Sequence, residues 1–415
     1  MSRRVRQLPL VLWLVVAGLL LGACGRNLEA GRSDRVLRIG MLLPLTGPVA
    51  VIGNPLAAGA QVWVDALNEE KGGVAGRHKV ELVLRDSRND PATAVQAYSE
   101  LEREVVLFYI TGVPVLEALL PQLEGDGGVA VAGTLDADHI REPNLIPVGV
   151  PYQMEAINIL DYYLRTEAGH RGRTVCAMGG DEAAGQAAVE GVEYAARELG
   201  FEPSERAHYR LGDEDFTAQI RQLHDGGCNA VVLLSRPSET SRILGAAAQG
   251  GFSPRWLALT PTWAAALANS PLRQYLQDNF WLVREGAQYG DTSIPGMAEF
   301  LARIERHPPS LDVTEGDPRL ISGYTQAQVM TAVLEQAVKE GDVSKEGILR
   351  AIPHVGTLSF DGLAPDYYYG PIEERGPDPV STIFKVDPTQ PFGLAPIQEG
   401  FKSGVAERFE PEPAE

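Results

Sequence analysis

Short apolar runs alternate with amphipathic stretches from residue 36 onward, and no other feature limits the possible folds as strongly. Continuous runs rich in valine, isoleucine and leucine are typical of parallel strands that are buried on both faces. The strands predicted first are VLRIGMLL at 36–43, KVELVLR at 79–85, VVLFYI at 105–110 and GVAVAG at 128–133. Helices are predicted between them at 55–70, 91–103 and 114–123. This order predicts an α/β lobe with a parallel sheet.

The same alternation begins again after residue 151. Further strands are predicted at 174–179, 205–211, 229–235 and 256–260. The chain has 415 residues, which is long enough for two domains of ordinary size. We therefore predict two Rossmann-like α/β lobes with a ligand cleft between them.

The last third of the chain has many helices but few strands, so we do not expect it to form a separate lobe. FWLVRE at 280–285 is predicted as a strand that returns the chain to the first lobe. TLSFDG at 357–362 and PVSTIFKVD at 379–387 are predicted as a hairpin-like region that crosses back. Several crossings form a hinge, which permits closure on a ligand. The predicted division is lobe 1 at 36–150 and 284–375, lobe 2 at 151–283 and 376–400, and a C-terminal tail at 401–415.

The N-terminus has the pattern of an export signal. Residues 1–7 form a short basic segment, and the apolar run at 8–21 is shorter than a typical membrane-spanning helix. Leu21-Gly22-Ala23-Cys24 resembles the bacterial lipobox at every position. We predict a lipoprotein signal peptide at 1–23, a lipidated Cys24, a tether at 24–35, and a location in the periplasm or at the cell exterior. The alternative is an ordinary secretory peptide or a single-pass anchor with a chance cysteine.

Two cysteines remain once Cys24 is set aside. Cys176 lies within the apolar run TVCAM, and Cys228 lies at the start of the run GGCNAVVLL. Both are predicted as small core residues. A disulfide between them is compatible with an oxidising compartment, and two cysteines alone leave that pairing open.

The composition and the motifs argue against several classes of function. A formal net charge of −19 repels nucleic acid phosphates and anionic lipid headgroups. No HExxH, GxGxxG, GxxxxGK[ST], GxSxG or CxxC motif is present. The cluster Asp136, Asp138 and His139 is interpreted as a capping loop, because it lacks the convergent ligands that a metal needs. We therefore expect a binding protein without cofactor or metal, and an enzyme is a distant alternative.

Candidate ligand contacts follow the predicted strands, since ligands of open α/β sheets bind beyond the carboxyl ends of the strands. Thr111 and Gly112 follow the third strand, and a hydroxyl with free amides at a helix start suits a carboxylate. Ala132, Gly133 and Thr134 end the fourth strand, where a carbonyl and a hydroxyl suit an ammonium. Each segment taken alone is also an ordinary helix cap.

Together these segments resemble a known family. GMLLPLTGPVAVIGNPLAAGAQVWVDALNEEKGGVAGRHKVELVLRDSRNDPATAVQ, NAVVLLSRPSETSRILGAAAQGGF and GTLSFDG resemble the leucine/isoleucine/valine-binding proteins of bacterial ABC transporters. The resemblance covers roughly 36–387. It implies a type I periplasmic-binding fold with a three-stranded hinge, and a bound amino acid that is held mainly by the first lobe.

The resemblance also implies roles for individual residues. Thr111 occupies the position of a serine or threonine that holds the ligand carboxylate. Ala132 and Thr134 occupy positions that hold the ammonium, and Ile52 lines the pocket for the ligand side chain.

The second lobe departs from the family pattern. Ala184 stands where a closing tyrosine is usual, Arg236 replaces a common aromatic residue, and Thr260 replaces an acid that often pairs with the ammonium. Loss of that acid removes a charge-assisted hydrogen bond of roughly 1.5 to 3 kcal/mol. Arg236 favours a ligand with a second anionic or carbonyl group if it faces the cleft. The alternative is that Arg236 faces solvent or pairs with Glu239.

The predicted function is that of an extracytoplasmic, membrane-anchored solute-binding lipoprotein of an ABC-type importer. Its predicted partners are a small ligand, namely a branched-chain amino acid or related carboxylate, and a membrane permease. The alternative is a ligand sensor or envelope-protein regulator on the same fold, without transport. Closure of the lobes on a metabolite distinguishes the two, because a protein that binds only a protein partner need not close.

Overall fold

The first five strands of the chain form one parallel sheet. The structure is a computed structural model that describes residues 36–411. The strand order is β2-β1-β3-β4-β5, and all four pairings are parallel. The strands are β1 (Leu37–Leu43), β2 (Val80–Asp86), β3 (Leu107–Ile110), β4 (Ala130–Ala132) and β5 (Leu145–Pro147).

Helices cover both faces of this first sheet. Those between its strands are α1 (Ala50–Glu70), α2 (Pro91–Leu101) and α3 (Val113–Asp126). On one face, α2 and α3 enclose a core with Leu42, Phe108 and Ile110. On the other face, α1 packs with helices from the last third of the chain, which are α10 (Met297–Arg306), α11 (Arg319–Glu340) and α12 (Lys345–Ala351). The late helices therefore lie on the first sheet.

Glycines bring α1 and α11 into close contact. A Cβ at Gly59 would lie 2.0 Å from the carbonyl oxygen of Leu320, and a Cβ at Gly323 would lie 2.0 Å from that of Leu56. Neither position accepts a side chain, so the backbones of the two helices touch.

Seven strands form the second sheet, in the order β15-β14-β10-β9-β8-β6-β7. Its strands are β6 (Val175–Gly180), β7 (Arg206–Tyr209), β8 (Ala230–Leu234), β9 (Arg255–Ala258), β10 (Phe280–Arg284), β14 (Ser381–Val386) and β15 (Leu394–Phe401). The pairings among β6 to β10 are parallel, and β14 and β15 add antiparallel strands. The helices of this lobe are α4 (Tyr152–Thr166), α5 (Ala168–Arg171), α6 (Ala183–Leu199), α7 (Thr217–Asp225), α8 (Pro237–Gln249) and α9 (Arg273–Asn279). The predicted architecture of two α/β lobes is confirmed.

The chain passes between the two sheets three times. It leaves β5 for α4 at 148–151, returns after β10 at 285–287, and crosses again at 378–380 before β14. A small antiparallel sheet precedes the last crossing and consists of β11 (Gly356–Leu358), β12 (Tyr367–Tyr369) and β13 (Gly376–Pro377).

The predicted hairpin between 357–362 and 379–387 is wrong. β11 pairs with β12, whereas β14 pairs with β10 and β15. The three residues of β12 were too few to predict as a strand, and Pro396 within β15 masked its alternation. Proline is tolerated there because β15 is an edge strand.

The described part of the predicted C-terminal tail, 401–411, packs on the second lobe. Ser403 is fully buried; its hydroxyl donates to Asp161 at 2.7 Å, and its N–H donates to Asn158 at 3.0 Å. The Tyr194 and Phe409 rings meet edge to face.

Cys176 and Cys228 form a disulfide with Cα atoms 5.9 Å apart. Cys176 lies on β6, Cys228 lies two residues before β8, and both are buried in the same core. The pairing that the sequence left open is therefore present.

Candidate ligand-binding cleft

A cavity of about 110 Å³ lies between the lobes, where the carboxyl ends of both sheets meet. A cavity of about 150 Å³ is known to hold benzene, so this one suits a small molecule or part of one. The first lobe contributes Pro44, Val49, Ile52, Asn89, Thr111, Gly112, Val113, Pro114, Gly133 and Thr134. The second lobe contributes Tyr152, Glu182, Ala184, Leu234, Ser235, Arg236 and Pro261.

Seven of the nine residues predicted to contact a ligand lie in this lining. They are Ile52, Thr111, Gly112, Gly133, Thr134, Ala184 and Arg236. Ala132 and Thr260 are not among the lining residues. The side chain of Ala132 is fully buried in the core between the first sheet and helices α2 and α3. Contact of Ala132 and Thr260 with a ligand stays a prediction.

Thr111 is fixed by neighbouring groups at the end of β3. Its hydroxyl donates to the carbonyl oxygen of Gly133 at 2.7 Å and lies 3.3 Å from the hydroxyl of Tyr109. Tyr109 in turn donates to Gln326 Oε1 at 2.6 Å, on α11. The Thr111 hydroxyl proton is therefore engaged inside the first lobe.

Thr134 is engaged in the same way. Its hydroxyl lies 2.8 Å from Nδ1 of His139, and both side chains are buried. Burial lowers the pKa of His139 to about 4, so the ring is neutral at pH 7. The two groups form a neutral hydrogen bond at the cavity wall.

Gly112 is the N-cap residue immediately before α3, and its φ of 103° strongly favours glycine. A Cβ at this position would lie 2.1 Å from Oδ1 of Asn89. The glycine therefore lets Asn89 approach the first turn of α3, and both residues line the cavity.

Arg236 faces the cavity and also lies near Glu239, so both alternatives considered for it hold in part. Its side chain is 25% exposed, and Nη1 lies 3.9 Å from Oε1 of Glu239. The other Glu239 oxygen accepts from the backbone N–H of Arg236 at 3.0 Å and from the hydroxyl of Tyr209 at 2.9 Å. The Glu239 carboxylate thereby caps the start of α8.

Glu182 was missed by the sequence analysis. It immediately precedes α6, two residues before Ala184, and lines the cavity. Burial raises the pKa of its carboxyl group, and the charge of Arg236 opposes that effect. Its place just beyond the carboxyl end of β6 was the signal that could have identified it.

An acid does lie beside Thr260, although it does not line the cavity. Glu155 on α4 accepts the Thr260 N–H at 3.0 Å and also its hydroxyl. Glu155 is fully buried, and this burial raises its pKa to about 8. Both hydrogen-bond donors of Thr260 are therefore engaged by Glu155.

Two interlobe crossings are joined by Glu285. Its carboxylate accepts the N–H of Val150 at 2.5 Å, and a Cβ at Gly149 would lie 2.7 Å from the carboxylate oxygens. Burial raises the pKa of Glu285 to about 7, and the neighbouring Arg284 opposes this. The first and second crossings thus share a buried hydrogen bond.

Two α/β lobes, three crossings and a cavity at the carboxyl edges of both sheets define a two-lobe ligand-binding protein. The family described as periplasmic binding protein matches residues 36–379. The chain belongs to this family, and its resemblance to leucine/isoleucine/valine-binding proteins is confirmed.

Several relatives are similar to the chain over different lengths. The leucine-, isoleucine-, valine-, threonine- and alanine-binding protein of Pseudomonas aeruginosa is 24% identical over 78% of this chain and 86% of its own length. A Leu/Ile/Val-binding protein of Rhizobium johnstonii is 39% identical over 18% of this chain. That match covers 20% of the length of the Rhizobium protein. A match to a Leu/Ile/Val-binding protein homologue of Brucella melitensis covers 53% of the length of that protein.

Solved structures share the fold. A fatty acid ABC transporter substrate-binding protein from Thermomonospora curvata has a TM-score of 0.82 and 22% identity, with 92% of this chain and 97% of that chain covered. A branched-chain amino acid ABC transporter protein from Thermus thermophilus with bound valine has a TM-score of 0.76 and 17% identity, with 91% and 99% covered.

Across 36–411, no helix has the length and apolar character that crossing a membrane requires. The same residues contain no group of three or more histidine, cysteine, aspartate or glutamate side chains placed to hold a metal ion. The predicted lipidation site, Cys24, lies outside the described residues.

Proposed function

We propose that the protein is the solute receptor of an ABC-type importer and binds an amino acid or related small carboxylate by closure of its lobes. The observation that carries this proposal is the cavity itself, because its lining comes from both lobes. A ligand that contacts both walls interacts more with the closed state and shifts the population toward it. No chemistry on the ligand is part of the proposal.

The relatives support the ligand class. The Pseudomonas aeruginosa protein is described as binding leucine, isoleucine, valine, threonine and alanine, and it aligns over most of this chain. The lining of this cavity is largely apolar around a few polar groups, which suits a small organic ligand.

A ligand panel tests the proposal. The chain from Arg26 onward would be titrated by calorimetry with amino acids, their amides, dicarboxylates and short-chain carboxylic acids. We expect at least one compound to bind with a micromolar dissociation constant, which at 1 mM stabilises the fold by about 4 kcal/mol. Silence across the whole panel would contradict the proposal and favour a protein partner.

We also propose that Cys24 carries the membrane anchor and that a permease is the partner. The lipobox-like segment 21–24 motivates the anchor. We expect the full chain expressed in a bacterial host to fractionate with membranes, and Cys24→Ser to release it. Equal membrane association of both forms would contradict lipidation at Cys24.

A further inference from the structure

Both charged side chains in the cavity lining come from the second lobe. They are Glu182 and Arg236, and every lining residue from the first lobe is uncharged. The family resemblance instead implies that the first lobe grips the charged groups of the ligand. The charged groups of this cavity therefore all belong to the second lobe, and the first lobe offers a ligand only uncharged groups.

The first-lobe hydroxyls are already engaged within the protein. Thr111 donates to the Gly133 carbonyl oxygen at 2.7 Å, and the Thr134 hydroxyl lies 2.8 Å from His139 Nδ1. A ligand carboxylate at Thr111 would have to displace the Gly133 carbonyl and leave it without this donor. Loss of a buried partner costs about 1 to 3 kcal/mol.

The three positions that the family resemblance assigns to the ammonium provide few acceptors for it. Ala132 does not line the cavity, and Thr260 gives both its N–H and its hydroxyl to Glu155. The Thr134 hydroxyl already shares a hydrogen bond with His139. Among the side chains that line the cavity, an ammonium would therefore depend on Glu182 alone as a charged acceptor.

Arg236 has the opposite character, because its side chain lines the cavity and its ion pair with Glu239 is a long one. Within 36–411 its guanidinium donates no hydrogen bond, and the closest carboxylate oxygen lies 3.9 Å away. The planar guanidinium matches a carboxylate with two parallel N–H donors. Apolar side chains line the same cavity, among them Val49, Ile52, Val113 and Leu234.

We propose that Arg236 anchors the ligand carboxylate and that the ligand is an apolar monocarboxylate without an ammonium group, such as a branched aliphatic or aromatic acid. This proposal rests on the proposed function and narrows its ligand class. The apolar part of the acid lies against the first lobe, and the carboxylate lies against the start of α8.

Glu182 separates this proposal from a zwitterionic ligand. An ammonium would use Glu182 as its counter-ion, whereas a simple carboxylate would be repelled by it. Replacement of Glu182 by glutamine therefore changes the two affinities in opposite directions. The raised pKa of Glu182 is compatible with an anion nearby, because a protonated carboxyl group does not repel it.

Matched variants distinguish an anchor from a purely structural arginine. Arg236→Gln removes the charge, and Arg236→Lys keeps the charge but removes the paired donors. Arg242→Gln is the control, because Arg242 lies on the same helix and pairs with Glu214 at 3.1 Å outside the cavity. Melting temperatures of all variants report whether the loss of Arg236 beside Glu239 disturbs the fold.

The experiment is calorimetric titration with leucine, 4-methylpentanoate, benzoate, octanoate and 3-methylbutylamine. Leucine and 4-methylpentanoate share a carbon skeleton and differ by the amino group. We expect at least one of the three acids to bind tenfold or more tightly than leucine. We expect Arg236→Gln to reduce the affinity for that acid at least thirtyfold and Arg236→Lys to reduce it less. Arg242→Gln should leave the affinity unchanged, and Glu182→Gln should leave it unchanged or increase it.

The proposal is overturned if leucine binds more tightly than all three acids and Glu182→Gln weakens leucine; the proposed function would then stand with a zwitterionic ligand. It is also overturned if a bound acid keeps its affinity in a folded Arg236→Gln variant. If neither leucine nor any of the three acids binds, this proposal fails. If, in addition, no compound of the wider panel of amino acids, amides and dicarboxylates binds, the proposed function fails as well.

Discussion

Burial beneath Thr260 raises the pKa of Glu155 to about 8, from an ordinary value of 4.5. The folded protein therefore retains a proton between these pH values that the unfolded chain releases. The stabilisation from this group is fully present below pH 4.5 and is lost as the pH rises toward 8. Glu285, whose pKa is raised to about 7, acts in the same direction.

The first prediction is that Glu155→Gln reduces the pH dependence of stability. Glutamine keeps an acceptor for the Thr260 N–H but does not ionise. Between pH 5 and pH 8, we expect the free energy of unfolding of the wild type to fall by about 3 to 4 kcal/mol more than that of the variant. Urea unfolding at both pH values measures this difference. Glu305→Gln at an exposed site is the control, and equal slopes for wild type and Glu155→Gln would disprove the assignment.

Residue positions near the cavity were only partly predictable from sequence. The strand ends located Thr111, Gly133 and Thr134, because the carboxyl edge of a parallel sheet follows from the apolar pattern. The sequence could not show that the Thr111 hydroxyl donates to the Gly133 carbonyl oxygen or that the Thr134 hydroxyl shares a hydrogen bond with His139. Glu182 was missed although it follows the carboxyl end of β6, because the residue itself resembles any acid before a helix.

At the scale of helices, the contact between α1 and α11 depends on glycine. The second prediction is that Gly59→Ala destabilises the protein by about 1 to 3 kcal/mol, because its Cβ would lie 2.0 Å from the Leu320 carbonyl oxygen. Gly245→Ala on α8 is the control, since its Cβ meets nothing within 4 Å. Alanine there should stabilise by about 0.5 to 1 kcal/mol. Thermal unfolding of both variants tests this, and equal effects would contradict the close contact.

The third prediction concerns the link between β6 and β8. The Cys176–Cys228 disulfide joins residues that are 52 positions apart in the sequence. Replacement of both cysteines by alanine should reduce the free energy of unfolding by about 2 to 4 kcal/mol. Urea unfolding with and without reductant measures the effect. If the free energy of unfolding of the wild type is the same with and without reductant, the disulfide does not form.

The elements were predictable where the sequence pattern was long and continuous. Strands β1, β3, β6 and β8 follow from unbroken apolar runs, and α2 follows from Asp90 as N-cap, which accepts the Thr93 N–H at 2.8 Å. The pairing of β11 with β12 was not predictable, because three tyrosines in a row carry no period that assigns a partner strand. Pairing between distant short strands is decided by tertiary packing.

At the scale of the molecule, the three crossings determine how the lobes can move. A hinge formed by a few backbone segments permits closure, and Glu285 ties the first crossing to the second through Val150. The two-lobe architecture was predicted from the repeated strand and helix pattern. The placement of both charged lining residues in the second lobe was not, because it depends on which side chains the folded loops bring to the cavity.

Small-angle X-ray scattering with and without ligand tests closure of the lobes most directly. The chain from Arg26 onward would be measured alone, with 1 mM leucine and with 1 mM 4-methylpentanoate. A compact chain of this length has a radius of gyration of about 21 Å. We expect the radius of gyration to decrease toward this value with the compound that binds by calorimetry and to stay unchanged with one that does not. An unchanged radius at saturation, together with measured binding, would contradict lobe closure as the means of recognition.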